Sequence, residues 1–413
     1  MPTSAAVPSG LPAYIAVTAA YWAFMLTDGA LRMLILLHFH TLGFSALQLA
    51  WLFLLYELMG VVTNLSAGWL AARFGLASTL YAGLSIQIAA LLALTILSPD
   101  WAIATSVIYV MLVQGLSGIA KDLSKMSAKS AVKLLAPAAD GALFTWVARL
   151  TGSKNAVKGI GFLLGASLLA VAGFRPTLLI MAAVLAAILL ALALRMPPGL
   201  PQTRSKAKFR EVFSKDAAIN RLSAARLFLF GARDVWFVVG IPIYFYGVLS
   251  DGSEAGNRAA FFLIGSFMAL WIIGYGAIQA AAPRLIGHAP LAQTARSAAR
   301  WALILAAIPA ALALAALTGP STPLTIILVL GLLAFGAVFA INSALHSYLI
   351  LALSKSERVT MDVGFYYMSN AAGRLVGTLL SGLSYQFGGL PLCLATAALM
   401  VALSWACARR LSP

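Results

Sequence analysis

SKNAVKGIGFLLGASLLAVAGF, residues 153–174, and SNAAGRLVGTLLSGLSYQFGGL, residues 369–390, are one pattern written twice. Without a gap, Ser153 meets Ser369, Lys158 meets Arg374, Gly161 meets Gly377 and Gly173 meets Gly389. Two shorter stretches repeat more loosely. DGALR at 28–32 resembles GARD at 231–234, and AARFG at 71–75 resembles APRLIG at 282–287. The offset is about half of the 413 residues, so the chain reads as two copies of one unit.

What each copy contains follows from hydropathy. The chain is 62% hydrophobic and 10% charged, where a soluble domain carries about 25% charged residues. Many apolar runs exceed the ~18 residues that cross a hydrocarbon core as a helix. They lie at 14–39, 46–67, 76–97, 101–122, 143–172, 176–195, 219–248, 258–281, 298–318, 323–350, 362–385 and 390–408. None alternates with the period of a membrane barrel strand. The expectation is an all-α polytopic membrane protein with twelve transmembrane helices in two six-helix pseudo-symmetric bundles. Residues 1–195 and 219–413 form the bundles, and 196–218 is a basic linker. Such parallel halves are a layout of secondary transporters, with substrate held between them near mid-membrane.

The charge balance is +16. In a soluble chain that would suggest nucleic acid, but here the positive-inside rule accounts for it. With the N-terminus inside, only Arg175 and Arg258 of the 28 Lys and Arg fall in outer segments, and six lie within spans. Both termini are therefore expected in the cytoplasm. No basic segment precedes the first apolar run, so that helix is expected to be retained. Cys393 and Cys407, fourteen residues apart on one span, sit about 21 Å from each other and cannot bridge. No metal-ligand spacing, nucleophile–base pair or nucleotide loop appears, so neither enzyme activity nor a cofactor is expected.

GWLAARFG, Gly68–Gly75, resembles the loop signature of the major facilitator superfamily. Where that signature has an acidic residue this chain has Ala72, and where it has basic residues after the last glycine this chain has Leu76 and Ala77. A denser resemblance runs through YWAFMLTDGALRMLILLHFHTLGFS, GLSGIAKDLSKMSAKSAVKLL, TGSKNAVKGIGFLLG, SAARLFLFGARDVWFVVGIPI and ALWIIGYGAIQAAAPRL. These look like the organoarsenical efflux permeases of that superfamily. The resemblance implies export of 1-arseno-3-phosphoglycerate across a bacterial inner membrane, giving arsenate resistance. Glyceraldehyde-3-phosphate dehydrogenase would be the source of that substrate. The expected partners are otherwise a small anion and membrane lipids, with no nucleic acid, for a monomeric carrier.

The charges within the spans bear on such a substrate. Arg32, Lys154, Lys158, Arg226, Arg233 and Arg374 are basic, against Asp28, Glu57 and Asp234. Charges at bilayer depth are expensive and face cavities or one another. A surplus of bases suits an organic phosphate and argues against a cation exporter. Arginine forks grip tetrahedral oxyanions and lysine adds a point charge. Lys154 and Lys158 share a face of one helix, as do Arg226 and Arg233. Lys121 and Lys125 begin the ladder KDLSKMSAKSAVK at the inner mouth and are also candidate contacts; Lys129 and Lys133 read as orientation or funnel charges. Asp28, Glu57 and Asp234 are candidates for coupling or charge pairing. Each base has a structural alternative. Arg32 could pair with Asp28 one turn away, Arg233 with Asp234, and Arg226 could snorkel to the surface. Trivalent arsenic would want thiolates; a pentavalent arsenate ester is a hard oxyanion, which this set of bases fits better. A phosphoglycerate or sugar phosphate fits the same charges.

Overall fold

Lipid offers backbone N–H and C=O groups no partner, so apolar runs of this length satisfy themselves as helices. The computed structural model describes residues 11–74, 76–98, 100–135, 142–196, 214–286, 290–354 and 359–411. The first half comprises α1 (Leu11–Thr41), α2 (Ala46–Phe74), α3 (Leu76–Leu94), α4 (Ile103–Leu135), α5 (Ala142–Ala172) and α6 (Phe174–Arg195). The second comprises α7 (Ala217–Val235), a π-helical turn at Trp236–Gly240, α8 (Ile241–Leu249), α9 (Glu254–Ile286), α10 (Leu291–Ala316), α11 (Thr322–Leu353) and α12 (Val359–Ala408). Most of the linker expected at 196–218 lies outside the described residues, as do the side chains of Arg73, Lys129 and Lys133.

Among the described residues eleven helical stretches are long and apolar enough to cross a membrane. One runs from Asp362 to Ala408, 47 residues, or about 70 Å against a ~30 Å hydrocarbon core. It is two crossings joined by a kink, because Gly388 and Gly389 leave the helical region and Gly389 has φ +59°. Its repeat partner Gly173 has φ +83° and separates α5 from α6. Only glycine takes that conformation freely. The twelve expected spans are therefore present, the last two as the halves of α12. In the other direction, α7, the π turn and α8 form a single crossing, Ala217–Leu249.

The repeat is visible in the packing. A Cβ on Gly161 would press on the backbone of Leu26 and Ala30 in α1, and one on Gly377 would press on Gly231 and Asp234 in α7. Small residues let these helices approach closely in each half. The start of α7 and the end of α12 meet at one end of the bundle, where Arg221 Nη1 donates to the Arg410 carbonyl at 2.9 Å. This is the basic end, toward which the lysine ladder of α4 runs. At the opposite end the halves are closed together. His40 of α1 lies 4.7 Å edge-on from Tyr246 of α8. Gly382 of α12 sits against Ala46, Leu47 and Ala50 of α2, and Gly265 of α9 against Leu163 and Ala166 of α5.

Candidate functional site

The charges that the sequence scatters over α1, α2, α5, α7 and α12 converge where the two halves meet. Asp28, one turn before Arg32 on α1, accepts from Lys158 Nζ of α5 at 2.7 Å and from the Tyr56 hydroxyl of α2 at 2.5 Å. Arg32 turns away from Asp28 and donates to Glu57 Oε1 at 2.7 Å. The same oxygen accepts from Arg374 Nη2 of α12 at 2.5 Å. Arg374 also donates through Nε to Asp234 Oδ2 at 3.1 Å, while Arg233 takes Asp234 Oδ1 at 2.5 Å. Four cations thus share three carboxylates, all of them buried.

The two halves build this network alike. Lys158 and Arg374 are repeat partners, and each grips an aspartate on the first helix of its own half. Arg374 has the longer reach and a fork, so it also crosses the seam to Glu57. A lysine in its place would hold one carboxylate as a point charge. Aromatic rings line the network: the Arg32 guanidinium lies 5.1 Å from Phe53 and 5.6 Å from Tyr56, and that of Arg233 lies 5.1 Å from Phe230. Because the carboxylates are buried, the attraction among these groups is strengthened and so is the cost of leaving one unpaired. A π turn begins two residues after Asp234. Beside it Ser381 Oγ on α12 accepts from the Val239 and Gly240 N–H groups at 3.2 and 3.3 Å. Such turns concentrate at functional sites.

The remaining expected bases lie toward the basic end. The Lys121 ammonium sits 4.1 Å from the centre of the Tyr56 ring and is 8% exposed. Among the described residues no carboxylate comes within ion-pair distance of it. Lys125 is a step further out, paired with Asp122 at 3.1 Å and with Asn64 Oδ1 at 2.7 Å; it does not join the central network. Lys154, one turn from Lys158, is half-buried, and its neighbour Ser153 accepts from Trp22 Nε1 at 3.1 Å. Arg226 does not snorkel. It is 4% exposed, donates to Asn370 Oδ1 at 3.1 Å and to the Ser343 carbonyl and hydroxyl at 3.1 and 3.0 Å, and lies 3.9 Å over Phe230.

Sequence reading passed over Tyr56, Asp122, Asn64, Ser343 and Asn370 as partners of these bases. Nothing in their spacing distinguishes them from other polar residues on helices, although Asn370 is the repeat partner of Lys154. At the closed end His38 is stacked 4.0 Å from Phe174, and His40 is packed on Tyr246.

The model of the Major Facilitator Superfamily matches residues 13–341. Solved structures of the nucleoside transporter NupG superpose with TM-scores of 0.70 and 0.68. They share 16% identity with this chain, cover 97% and 96% of it, and are themselves covered to 98%. One of the two is a point mutant. No curated protein matches the chain. The chain belongs to the major facilitator superfamily of secondary transporters.

Proposed function

We propose that this carrier exports an organic, phosphate-like anion, 1-arseno-3-phosphoglycerate, by alternating access between its two halves. The observation that carries the reading is the seam network. Arg32, Lys158, Arg233 and Arg374 outnumber Asp28, Glu57 and Asp234, and Lys121 stands beside them with no carboxylate in ion-pair distance among the described residues. In the empty carrier the carboxylates serve as internal counter-ions. An entering dianion takes their place on Arg32, Lys158 and Arg374, using donors already gathered around one point. Once Glu57 no longer holds Arg374, the tie across the seam is gone and the halves can rock. A neutral solute would leave these cations where they are.

The orientation follows from the positive-inside rule: the basic end faces the bacterial cytoplasm, both termini lie there, and the closed end faces outward. Residues 1–195 and 219–413 are the moving halves, with the basic segment 196–218 between them. The carrier works as a monomer without a cofactor. Its substrate comes from glyceraldehyde-3-phosphate dehydrogenase acting with arsenate in place of phosphate. The network itself supports the anion class; the arsenate ester is supported by the resemblance of the segments around it to organoarsenical permeases. A phosphoglycerate or sugar phosphate meets the same charges and is the second reading.

The test is a resistance assay in an arsenic-sensitive host that makes the dehydrogenase. Protection against arsenate, lost in Lys158→Ala and Arg374→Ala, is expected. Protection against arsenite alone, or arsenate resistance retained by both variants, refutes the reading. Uptake into inverted vesicles with competing phosphoglycerate separates the two anions.

A further inference from the structure

We infer that Arg226, Asn342 and His346 form a second anion-binding station inside the C-terminal half, apart from the central network. The inference rests on the reading that the cargo is a phosphate-like anion. Asn342, Ser343 and His346 lie on α11, all fully buried. Asn342 and His346 are one turn apart, so they share a face with Ser343 close beside it. Neither polar atom of the Asn342 side chain and neither ring nitrogen of His346 has a hydrogen-bond partner among the described residues. Buried polar groups are nearly always bonded, and in a membrane helix no bulk water relieves them.

Ser343, between them in sequence, is already engaged as an acceptor. Its carbonyl and hydroxyl accept from Arg226, and the hydroxyl also accepts from Gln279 Nε2 of α9 at 3.2 Å. Arg226 is held against Phe230 and Tyr366, and no carboxylate lies within ion-pair distance of it among the described residues. The station is thus a buried guanidinium with a buried amide and imidazole next to its partner, all able to donate to an oxyanion.

The internal repeat gives an independent reason. GLSGIAKDLSK at 115–125 and GAVFAINSALH at 336–346 align without a gap. Gly115 meets Gly336, Lys121 meets Asn342, Asp122 meets Ser343 and Lys125 meets His346. The contacts follow the alignment: Asn64 of α2 reaches Asp122 at 3.4 Å, and Gln279 of α9 reaches Ser343 at 3.2 Å. In the N-terminal half Asp122 supplies the negative charge and gathers Lys125, Thr63 and Asn64. In the C-terminal half that position is a serine, and the cation comes from another helix, as Arg226 of α7. At this position the N-terminal half carries its own anion and the C-terminal half has a neutral serine. Seven residues, about 10 Å along α7, separate Arg226 from Arg233, so a cargo anion can step from the station to the seam.

The full-length protein, purified in detergent, tests this with inorganic phosphate as the probe, read as a shift in Tm and by equilibrium binding. The wild type is expected to bind phosphate in two phases. Arg374→Ala removes the seam phase and keeps the other. Asn342→Leu with His346→Leu removes the second phase, weakening it about tenfold or more. Ser343→Asp gives Arg226 the carboxylate that Lys125 already has, and is expected to fold and also to lose the second phase. It carries the test should the paired leucines prevent folding. Two phases retained in Ser343→Asp overturn the station alone. A wild type that binds no phosphate overturns the station together with the anion reading.

Discussion

Arg374 and Glu57 are 317 residues apart in the chain and 2.5 Å apart in space, joined across the seam between the two halves. Glu57 also holds Arg32, and Arg374 also holds Asp234, so one contact links the charge pairs of both repeats. Under the proposed function, substrate and seam compete for the same side chain, which makes binding and rocking one event.

Removing Arg374 leaves Glu57 with Arg32 and Asp234 with Arg233. Arg374→Ala should therefore cost less stability than a fully orphaned buried charge, below the ~3–5 kcal/mol typical of that case, yet abolish transport. Arg374→Lys keeps the charge but not the fork, and should restore folding with little transport. Thermal unfolding in detergent and vesicle transport measure the two effects separately.

Among the described residues Asp28 is ion-paired with Lys158 and also accepts from the Tyr56 hydroxyl. Lys158→Ala should be destabilising by about 3–5 kcal/mol, because it strands a buried carboxylate. Asp28→Asn together with Lys158→Met should recover most of that stability and none of the transport. Recovery of transport in the double variant would show that Lys158 serves structure alone.

Two glycine contacts separate folding from motion. Gly161 packs within the N-terminal half, where any side chain would strike Leu26 and Ala30. Gly161→Leu should fail to give a monodisperse protein by size-exclusion chromatography. Gly382 packs between the halves, against Ala46 and Ala50. Gly382→Leu should elute as a folded protein but hold the seam apart at the closed end and stop transport. Gly274→Ala, with nothing within 4 Å, should match the wild type in both assays.

Ser381 supports the π turn next to Asp234. Ser381→Ala removes a hydroxyl that accepts from two buried N–H groups, and should lower stability by about 1 kcal/mol. If Tm is unchanged, the turn has relaxed to an ordinary α-helix and the Ser381 contact is incidental.

Membrane spans are legible in a chain because each must satisfy its own backbone within a fixed thickness, so length and hydropathy suffice to find them. The offset pairing of Lys158 with Arg374 and Gly161 with Gly377 could likewise be read directly, and both pairs occupy equivalent places. The intramembrane bases were legible too, since a charge at that depth needs a reason. Their partners were not. Arg32 has Asp28 one turn away, yet bonds to Glu57 on another helix. Arg226 sits near a helix start, where snorkelling is open to it, yet is held by Ser343 and Asn370.

The sequence by itself determined the membrane class, the twelve crossings, the internal repeat and the surplus of positive charge, all of which are local or periodic properties of the chain. Only the tertiary structure decided which acid neutralises which base, that Arg374 rather than Lys158 bridges the halves, and that Asn342 and His346 are left unbonded beside the Ser343–Arg226 contact. Those outcomes depend on the rotation and depth of helices packed from distant parts of the chain, which hydropathy and spacing along one helix do not encode.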